Sequence, residues 1–306
     1  MDIAMVGLGR MGANMAERLA RGGHRVHGFD ALPAARDAAA PRGIAVAGSL
    51  QALVATLPSP RAIWLMVPAG DTVDATLSVL SPMLAAGDVI IDGGNSHYPD
   101  SMRRAAMLAE GGIHFVDCGT SGGIWGLTEG YCLMVGGDAE AVARLEPVFA
   151  TLAPETGMGW ARVGPSGAGH FTKMVHNGIE YGMMQAYAEG FAIMQRKAGF
   201  ELDLKQIADL WRTGSVVRSW LLDLTAHALG RNPTLDGIAP WVADSGEGRW
   251  TVAEAIALDV PAPVITLSLM TRLRSRDTTS FTDRLIAAMR SEFGGHSVKP
   301  TDTPAA

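Results

Sequence analysis

The feature that most restricts the fold is the string Gly7-Leu8-Gly9-Arg10-Met11-Gly12, set between an apolar run at residues 3–6 and an amphipathic stretch that begins near Asn14. In that context each glycine has a separate purpose. Gly7 permits a tight turn after a strand, Gly9 lets a pyrophosphate lie against backbone N–H groups, and Gly12 lets the following helix pack closely on the strand. The helix N-terminus adds favourable partial charge for an anion. An isolated GxGxxG string is a weak signal, and a glycine turn with no ligand is its plain structural counterpart. Its weight here comes from the next apolar run, residues 26–29, which ends in Asp30, 18 residues after Gly12. A carboxylate at that point accepts hydrogen bonds from ribose hydroxyls; the competing reading is a simple helix cap. The backbone of Gly7, Leu8, Gly9, Arg10, Met11 and Gly12, together with Asp30, is therefore the expected cofactor cradle. Asp30 repels a 2'-phosphate, and Ala31-Leu32-Pro33 supplies no cation to hold one. NAD is thus expected in preference to NADP, with Arg36 arguing otherwise only if it folds back.

Six short apolar runs, at residues 3–6, 26–29, 62–67, 89–91, 114–117 and 131–135, alternate with amphipathic segments such as 14–21 and 100–110. This alternation predicts a parallel sheet covered on both faces by helices. The strand signal ends at the small-residue segment Gly164-Pro165-Ser166-Gly167-Ala168-Gly169, and helical periodicity follows. The expected fold class is an α/β Rossmann-type N-terminal domain followed by an all-helical C-terminal domain. Residues 1–163 are read as the dinucleotide-binding domain, 164–297 as a helical substrate-binding and oligomerisation domain, and 298–306 as a flexible tail. The expected helices cover a long stretch from His170 to about Gly199, then 203–211, 215–229, 251–259, 263–276 and 281–293.

Composition narrows the function classes. Lys and Arg total 25 against 31 for Asp and Glu, a net charge of −6, so the chain lacks the basic field that nucleic-acid binding usually requires. No apolar run approaches the length of a membrane span, and the N-terminus has no basic segment ahead of an apolar one. A cytoplasmic protein without membrane or nucleic-acid partners is expected. Cys118 and Cys132 have neither disulfide-framework nor metal-pair spacing, and no metal is expected.

A second set of polar residues interrupts an otherwise apolar helix. Lys173, His176, Asn177 and Glu180 fall at i, i+3, i+4 and i+7, and so project from one face. Their neighbours Phe171, Met174, Val175, Ile179, Met183 and Met184 predict a buried helix. Burying a lysine, a histidine and a glutamate is costly unless they serve one another or a ligand. Burial lowers a lysine pKa and raises a glutamate pKa, which yields a base and an acid near neutral pH. A solvated stripe with an ion pair is the alternative. Two glycine-rich loops near the expected ligand edge of the sheet, Asp92-Gly93-Gly94-Asn95-Ser96 and Cys118-Gly119-Thr120-Ser121-Gly122-Gly123, offer Asn95, Ser121 and the N–H groups of Gly122 and Gly123 to a carboxylate or hydroxyls. Ordinary turns also use glycine in this way.

Taken with the run Gly169-His170-Phe171-Thr172-Lys173-Met174-Val175-His176-Asn177-Gly178-Ile179-Glu180-Tyr181, these motifs closely resemble the decarboxylating 6-phosphogluconate dehydrogenases, within the wider β-hydroxyacid dehydrogenases. The resemblance covers nearly the whole chain. It implies Lys173 as general base and Glu180 as general acid. Asn95, Ser121, Gly122, Gly123, His176 and Asn177 match residues around the sugar acid, and Val67, Pro68 and Ala69, with Asn95, match cofactor contacts. Tyr181 and Arg272 match phosphate ligands, while Arg290 and His296 match a tail segment that reaches a neighbouring subunit's phosphate site. The implied substrate is a small phosphorylated sugar acid, 6-phosphogluconate, converted to ribulose 5-phosphate and carbon dioxide in the pentose phosphate pathway and gluconate utilisation. The implied assembly is a homodimer or homotetramer.

The sequence departs from that family at two places. Ser245-Gly246-Glu247-Gly248-Arg249-Trp250 stands where the family usually reads lysine-glycine-threonine-glycine, so Ser245 replaces a phosphate-binding lysine. Asp30-Ala31-Leu32 replaces the usual asparagine-arginine-threonine, in keeping with NAD, and the chain resembles the short, NAD-preferring branch. Two other functions fit parts of the pattern: a dehydrogenase for another β-hydroxyacid such as 3-hydroxyisobutyrate, and a non-catalytic dinucleotide-sensing module. The first has no need of Tyr181, Arg272, Arg290 and His296, and the second has no need of both Lys173 and Glu180.

Overall fold

The computed structural model describes residues 1–154, 158–294 and 297–300. Eight strands, β1 Asp2–Val6, β2 Arg25–Phe29, β3 Ala45–Val46, β4 Ala62–Leu65, β5 Val89–Asp92, β6 His114–Ser121, β7 Cys132–Gly136 and β8 Trp160–Gly164, form one sheet in the order β3-β2-β1-β4-β5-β6-β7-β8. The strands from β3 to β6 pair in parallel, with helices making the crossovers, as a Rossmann-type fold requires. The expectation of a wholly parallel sheet needs correction at one edge. β7 pairs antiparallel to β6, and β8 runs parallel to β7.

Side-chain alternation explains why the central strands read as continuous apolar runs. Ile3 and Met5 point to one face, where Met15, Leu19, Val148 and Phe149 cover them. Ala4 and Val6 point to the other, against Leu53, Leu65, Val73 and Leu77. Both faces are dry, so no polar residue is needed at every second position. β3 and β8 escaped the periodicity because β3 is two residues long and β8 is largely exposed, with no buried face to impose a pattern.

After β8 the described chain is helical: Ala168–Arg196, Leu204–Trp211, Trp220–Arg231, Glu247–Ala257, Pro263–Arg274 and Phe281–Gly294. Caps set several starts. The Asp203 carboxylate accepts from the Gln206 N–H at 3.0 Å, and the Ser219 hydroxyl oxygen accepts from the Leu222 N–H at 3.1 Å. The second cap explains why that helix begins at Trp220 and not at 215. The helix expected from Thr251 begins a turn earlier, at Glu247, behind Gly246 in the left-handed region at φ 92°.

The chain packs as two compact units: Met1–Glu180 with Gly246–Val260, and Tyr181–Ser245 with Pro261–Ala306. The first holds the sheet. The core of the second centres on Phe191, Ala208, Leu222, Ala226 and Leu229. Met194 packs against that core, whereas Met183 is exposed. Among the described residues no helix is long and apolar enough to cross a membrane.

The start of the long helix Ala168–Arg196 docks on β6 and β7 with almost no clearance. A Cβ on Gly169 would lie 2.4 Å from the Asp117 carbonyl oxygen, and one on Gly136 would lie 2.6 Å from the Gly169 nitrogen. The buried Asp117 carboxylate holds this contact by accepting from the Gly167 N–H at 2.7 Å and the His170 N–H at 2.8 Å. A carboxylate here caps the helix and complements its dipole. Asp117→Ala leaves two buried N–H groups unpaired, and an equilibrium urea titration should record a loss of about 3 kcal/mol in stability.

Candidate active site

The glycine string turns at the end of β1, where the Gly7 N–H donates to the Phe29 carbonyl at 2.8 Å. Gly7 has φ 95°, and a Cβ there would fall 2.3 Å from the Met66 carbonyl oxygen. A Cβ on Gly12 would fall 1.9 Å from the Gly7 carbonyl oxygen, so strand, turn and helix are in backbone contact. Gly9 is the exception: a Cβ there meets nothing within 4 Å, which leaves the turn open where it caps the helix Arg10–Arg21. That helix carries no acidic residue in its first turn to oppose an anion. Asp30 lies beside the turn, its Oδ2 accepting from the Leu8 N–H at 2.7 Å and its Oδ1 from the Leu32 N–H at 2.8 Å. An open glycine backbone at a helix N-terminus, with a fixed carboxylate next to it, fits the pyrophosphate and ribose of a dinucleotide.

Arg36 does fold back. Its Nη1 donates to the Asp30 carbonyl at 2.7 Å, and its guanidinium lies 6.0 Å from the centre of the Phe29 ring. A cation therefore stands beside Asp30, contrary to what the local sequence Ala31-Leu32-Pro33 suggests. Val67, Pro68 and Ala69 follow β4 after Met66, with Pro68 and Ala69 exposed. In the next loop Asp92 is buried and accepts from the Gly94 N–H at 3.1 Å and the Ser96 hydroxyl at 2.7 Å, which leaves Asn95 exposed at the tip.

Lys173 occupies the second turn of the long helix, pressed against β6: a Cβ on Gly119 would sit 2.3 Å from the Lys173 Cβ. Its side chain is 6% exposed. The Nζ donates to Asn177 Oδ1 at 2.8 Å and lies 3.4 Å from His176 Nδ1, which is 3.9 Å from Glu180 Oε2. The four residues thus form one connected polar face. Burial holds the Lys173 amine below the ordinary lysine range, while Glu180 and Glu247 pull it partly back. A lysine so placed is a candidate base that needs no metal to activate it. The expected buried glutamate is not Glu180, whose side chain is 38% exposed.

The buried acid is Glu247, in the first turn of Glu247–Ala257 and only 1% exposed. Burial pushes its carboxyl up to about 7, with Lys173 acting in the opposite direction. Its Oε2 has no hydrogen-bond partner. A spacing rule confined to one helix passes over it, because it approaches Lys173 from another element. The signal available in the sequence was the departure at Ser245–Trp250, together with the i,i+4 pair Glu247 and Thr251. The Thr251 hydroxyl donates to the Met174 carbonyl at 2.9 Å, and a Cβ on Gly178 would meet Thr251 Cγ2 at 2.6 Å.

Ser121 closes β6, and Gly122 and Gly123 follow with φ values of 142° and 53°, a turn that L side chains rarely adopt. In the second unit Tyr181 and Arg272 come together, the guanidinium carbon 3.4 Å from the ring centre. Arg272 also donates to the Ala243 carbonyl at 3.1 Å, and the Tyr181 hydroxyl accepts from the Ser245 N–H at 3.4 Å. Arg290 is exposed on Phe281–Gly294, and His296 lies outside the described residues.

This combination of cradle and lysine face coincides with two family models. That of the NAD binding domain of 6-phosphogluconate dehydrogenase matches residues 2–160, and that of the 6-phosphogluconate dehydrogenase C-terminal domain matches residues 169–284. The chain belongs to the 6-phosphogluconate dehydrogenase family. A Haloferax volcanii relative named as a NAD(+)-dependent, decarboxylating 6-phosphogluconate dehydrogenase is 45% identical over 304 residues, covering 99% of this chain and 100% of the relative. A Bacillus subtilis relative of the same name is 37% identical over 287 residues, which is 90% of this chain and 61% of the relative. The structure of Plasmodium falciparum 6-phosphogluconate dehydrogenase superposes with a TM-score of 0.85 at 26% identity, over 100% of this chain and 67% of that one. The chain is therefore an NAD-binding oxidoreductase of this family, with the fold that its motifs predicted. The C-terminal family model includes Lys173, Glu180, Tyr181, Glu247 and Arg272, and ends before Arg290. Gly12→Ala, which forces the turn off the helix, should weaken NADH binding at least tenfold, about 1.4 kcal/mol, in a fluorescence titration.

Proposed function

We propose that the protein catalyses the oxidative decarboxylation of 6-phosphogluconate to ribulose 5-phosphate and carbon dioxide, using NAD in preference to NADP. The observation that carries this reading is the buried Lys173, its amine bonded to Asn177 and held below its ordinary pKa beside His176 and Glu180. Its amine is thereby biased towards the neutral form that a base requires. The Gly7 to Gly12 backbone would hold the dinucleotide pyrophosphate and Asp30 a ribose, with Val67, Pro68, Ala69 and Asn95 lining the remainder. NAD supplies a hydride acceptor for C3 of the substrate.

Lys173 accepts the C3 hydroxyl proton as C3 is oxidised. The resulting 3-keto acid loses its carboxylate because the β-carbonyl takes up the electron pair. Lys173, now an ammonium, stabilises the negative charge developing on that oxygen. Glu180 then delivers a proton to C1 of the enediol. Asn95, Ser121, Gly122, Gly123, His176 and Asn177 orient the sugar acid, and Tyr181 and Arg272 bind its phosphate. Arg290 and His296 complete a phosphate site in a neighbouring subunit of a homodimer or homotetramer. Residues 1–163 serve the cofactor and 164–297 the substrate and assembly. The reaction belongs to the pentose phosphate pathway of the cytoplasm.

Support for NAD comes from Asp30, with Arg36 the group that opposes it. Asp30→Ala should raise NADP use relative to NAD, and Arg36→Ala should lower it, both read as kcat/KM ratios. Initial rates with 6-phosphogluconate, gluconate and 3-hydroxyisobutyrate test the substrate; equal rates with gluconate would remove the case for a phosphate site. Lys173→Met should lower NADH formation by about 10³-fold, with NAD affinity nearly unchanged. Glu180→Gln should slow carbon dioxide release and tautomerisation more than hydride transfer.

A further inference from the structure

Glu247 has no part in the reaction sequence above, yet it is a carboxyl 1% exposed that lacks a hydrogen-bond partner at Oε2. Burying such a group without a partner is costly, and the cost falls if a cation lies within reach. Its helix is fixed against the lysine-bearing helix one turn further on. There the Thr251 hydroxyl bridges the Met174 carbonyl at 2.9 Å and the Glu247 carbonyl at 2.9 Å. Met174 directly follows Lys173, so this bridge brings the first turn of Glu247–Ala257 beside the lysine. Trp250 stacks on His97 with ring centres 4.6 Å apart, and Glu254 accepts from the Tyr98 hydroxyl at 2.9 Å, so the helix is also held along its length.

We propose that Glu247 is a positioning residue for the reaction: its carboxyl is the buried counter-charge of the Lys173 amine and sets the protonation state of that base. The inference rests on Lys173 being the base. The groups facing Lys173 are His176, Asn177 and Glu180 on its own helix, the Gly119 backbone of β6, Cys132 of β7, and Glu247. Glu247 is the buried member among the carboxyls, so its charge is the least screened. The exposed Arg249 stands two residues along the same helix. Buried together, the two groups titrate as a coupled pair. With Glu247 ionised the ammonium is favoured; with Glu247 neutral the amine is released as a base.

Glu247→Gln keeps the shape and removes the charge that draws the Lys173 pKa upward. Lys173 should then become neutral at lower pH, by about one pH unit. Two readouts on the full-length protein separate this inference from the proposed reaction. Competitive acetylation of Lys173 with acetic anhydride across pH, followed by mass spectrometry, reports its protonation whether or not the protein turns over 6-phosphogluconate. The kcat/KM profile for 6-phosphogluconate with NAD should shift its acid limb in the same direction. A lower plateau with an unmoved limb is the mark of a merely structural residue. An acetylation midpoint equal in wild type and Glu247→Gln overturns the proposal. A shifted midpoint in a protein that makes no NADH from 6-phosphogluconate upholds the pairing and overturns the proposed function. If Glu247→Gln does not fold, Glu247→Asp withdraws the carboxylate by one methylene, and the midpoint should move down by less; an unmoved midpoint there overturns the proposal equally.

Discussion

The close seating of the helix Ala168–Arg196 on β6 and β7 is the contact on which the rest of the lysine site depends. Gly119, Gly136 and Gly169 meet there at separations that no side chain would permit, and Asp117 locks the helix start through two hydrogen bonds. Because helix and strands touch backbone to backbone, the position of Lys173 is tied to the sheet and not to a loop. Seated in this way Lys173 is 6% exposed, and burial is what lowers its pKa.

That desolvation would be destabilising if the polar groups were left alone. Asn177 takes one hydrogen of the amine, His176 lies within reach of it, and Glu247 on a second helix draws its pKa upward. The site is a small network in a dry environment, where each charge acts over a longer range than it would in water. The cradle at the end of β1 works by a different principle. There the ligand-facing groups are backbone N–H donors and a helix dipole, made accessible because Gly9 projects nothing into the space in front of them.

How far the site could be read in advance differs from residue to residue. Lys173, His176, Asn177 and Glu180 were visible because helical spacing is a property of one contiguous segment. The turn from Gly7 to Gly12 was visible for the same reason, since strand, turn and helix follow in order. β3 and β8 were not, because two exposed edge strands carry no burial pattern. The reversal of β7 was not legible either: an apolar run has the same pattern in both directions. Glu247 was missed because its partner lies 74 positions away in the chain, and nothing local marks a carboxylate as buried. Arg36 was a matter of side-chain direction, which the string Asp30-Ala31-Leu32-Pro33 leaves open and the bond to the Asp30 carbonyl decides.

The amino-acid sequence by itself determined the alternation of the central strands with helices, the glycine turn and the polar face of the long helix, since each depends on periodicity and conformational freedom within a few residues. Tertiary structure alone decided which carboxyl is buried, where Arg36 points, and that Asp117 holds the helix start. The first and the last depend on water being excluded by segments far apart in the chain, and the second on a side-chain bond that the local string leaves open. Burial is a property of the assembled fold, and no stretch of sequence carries it alone.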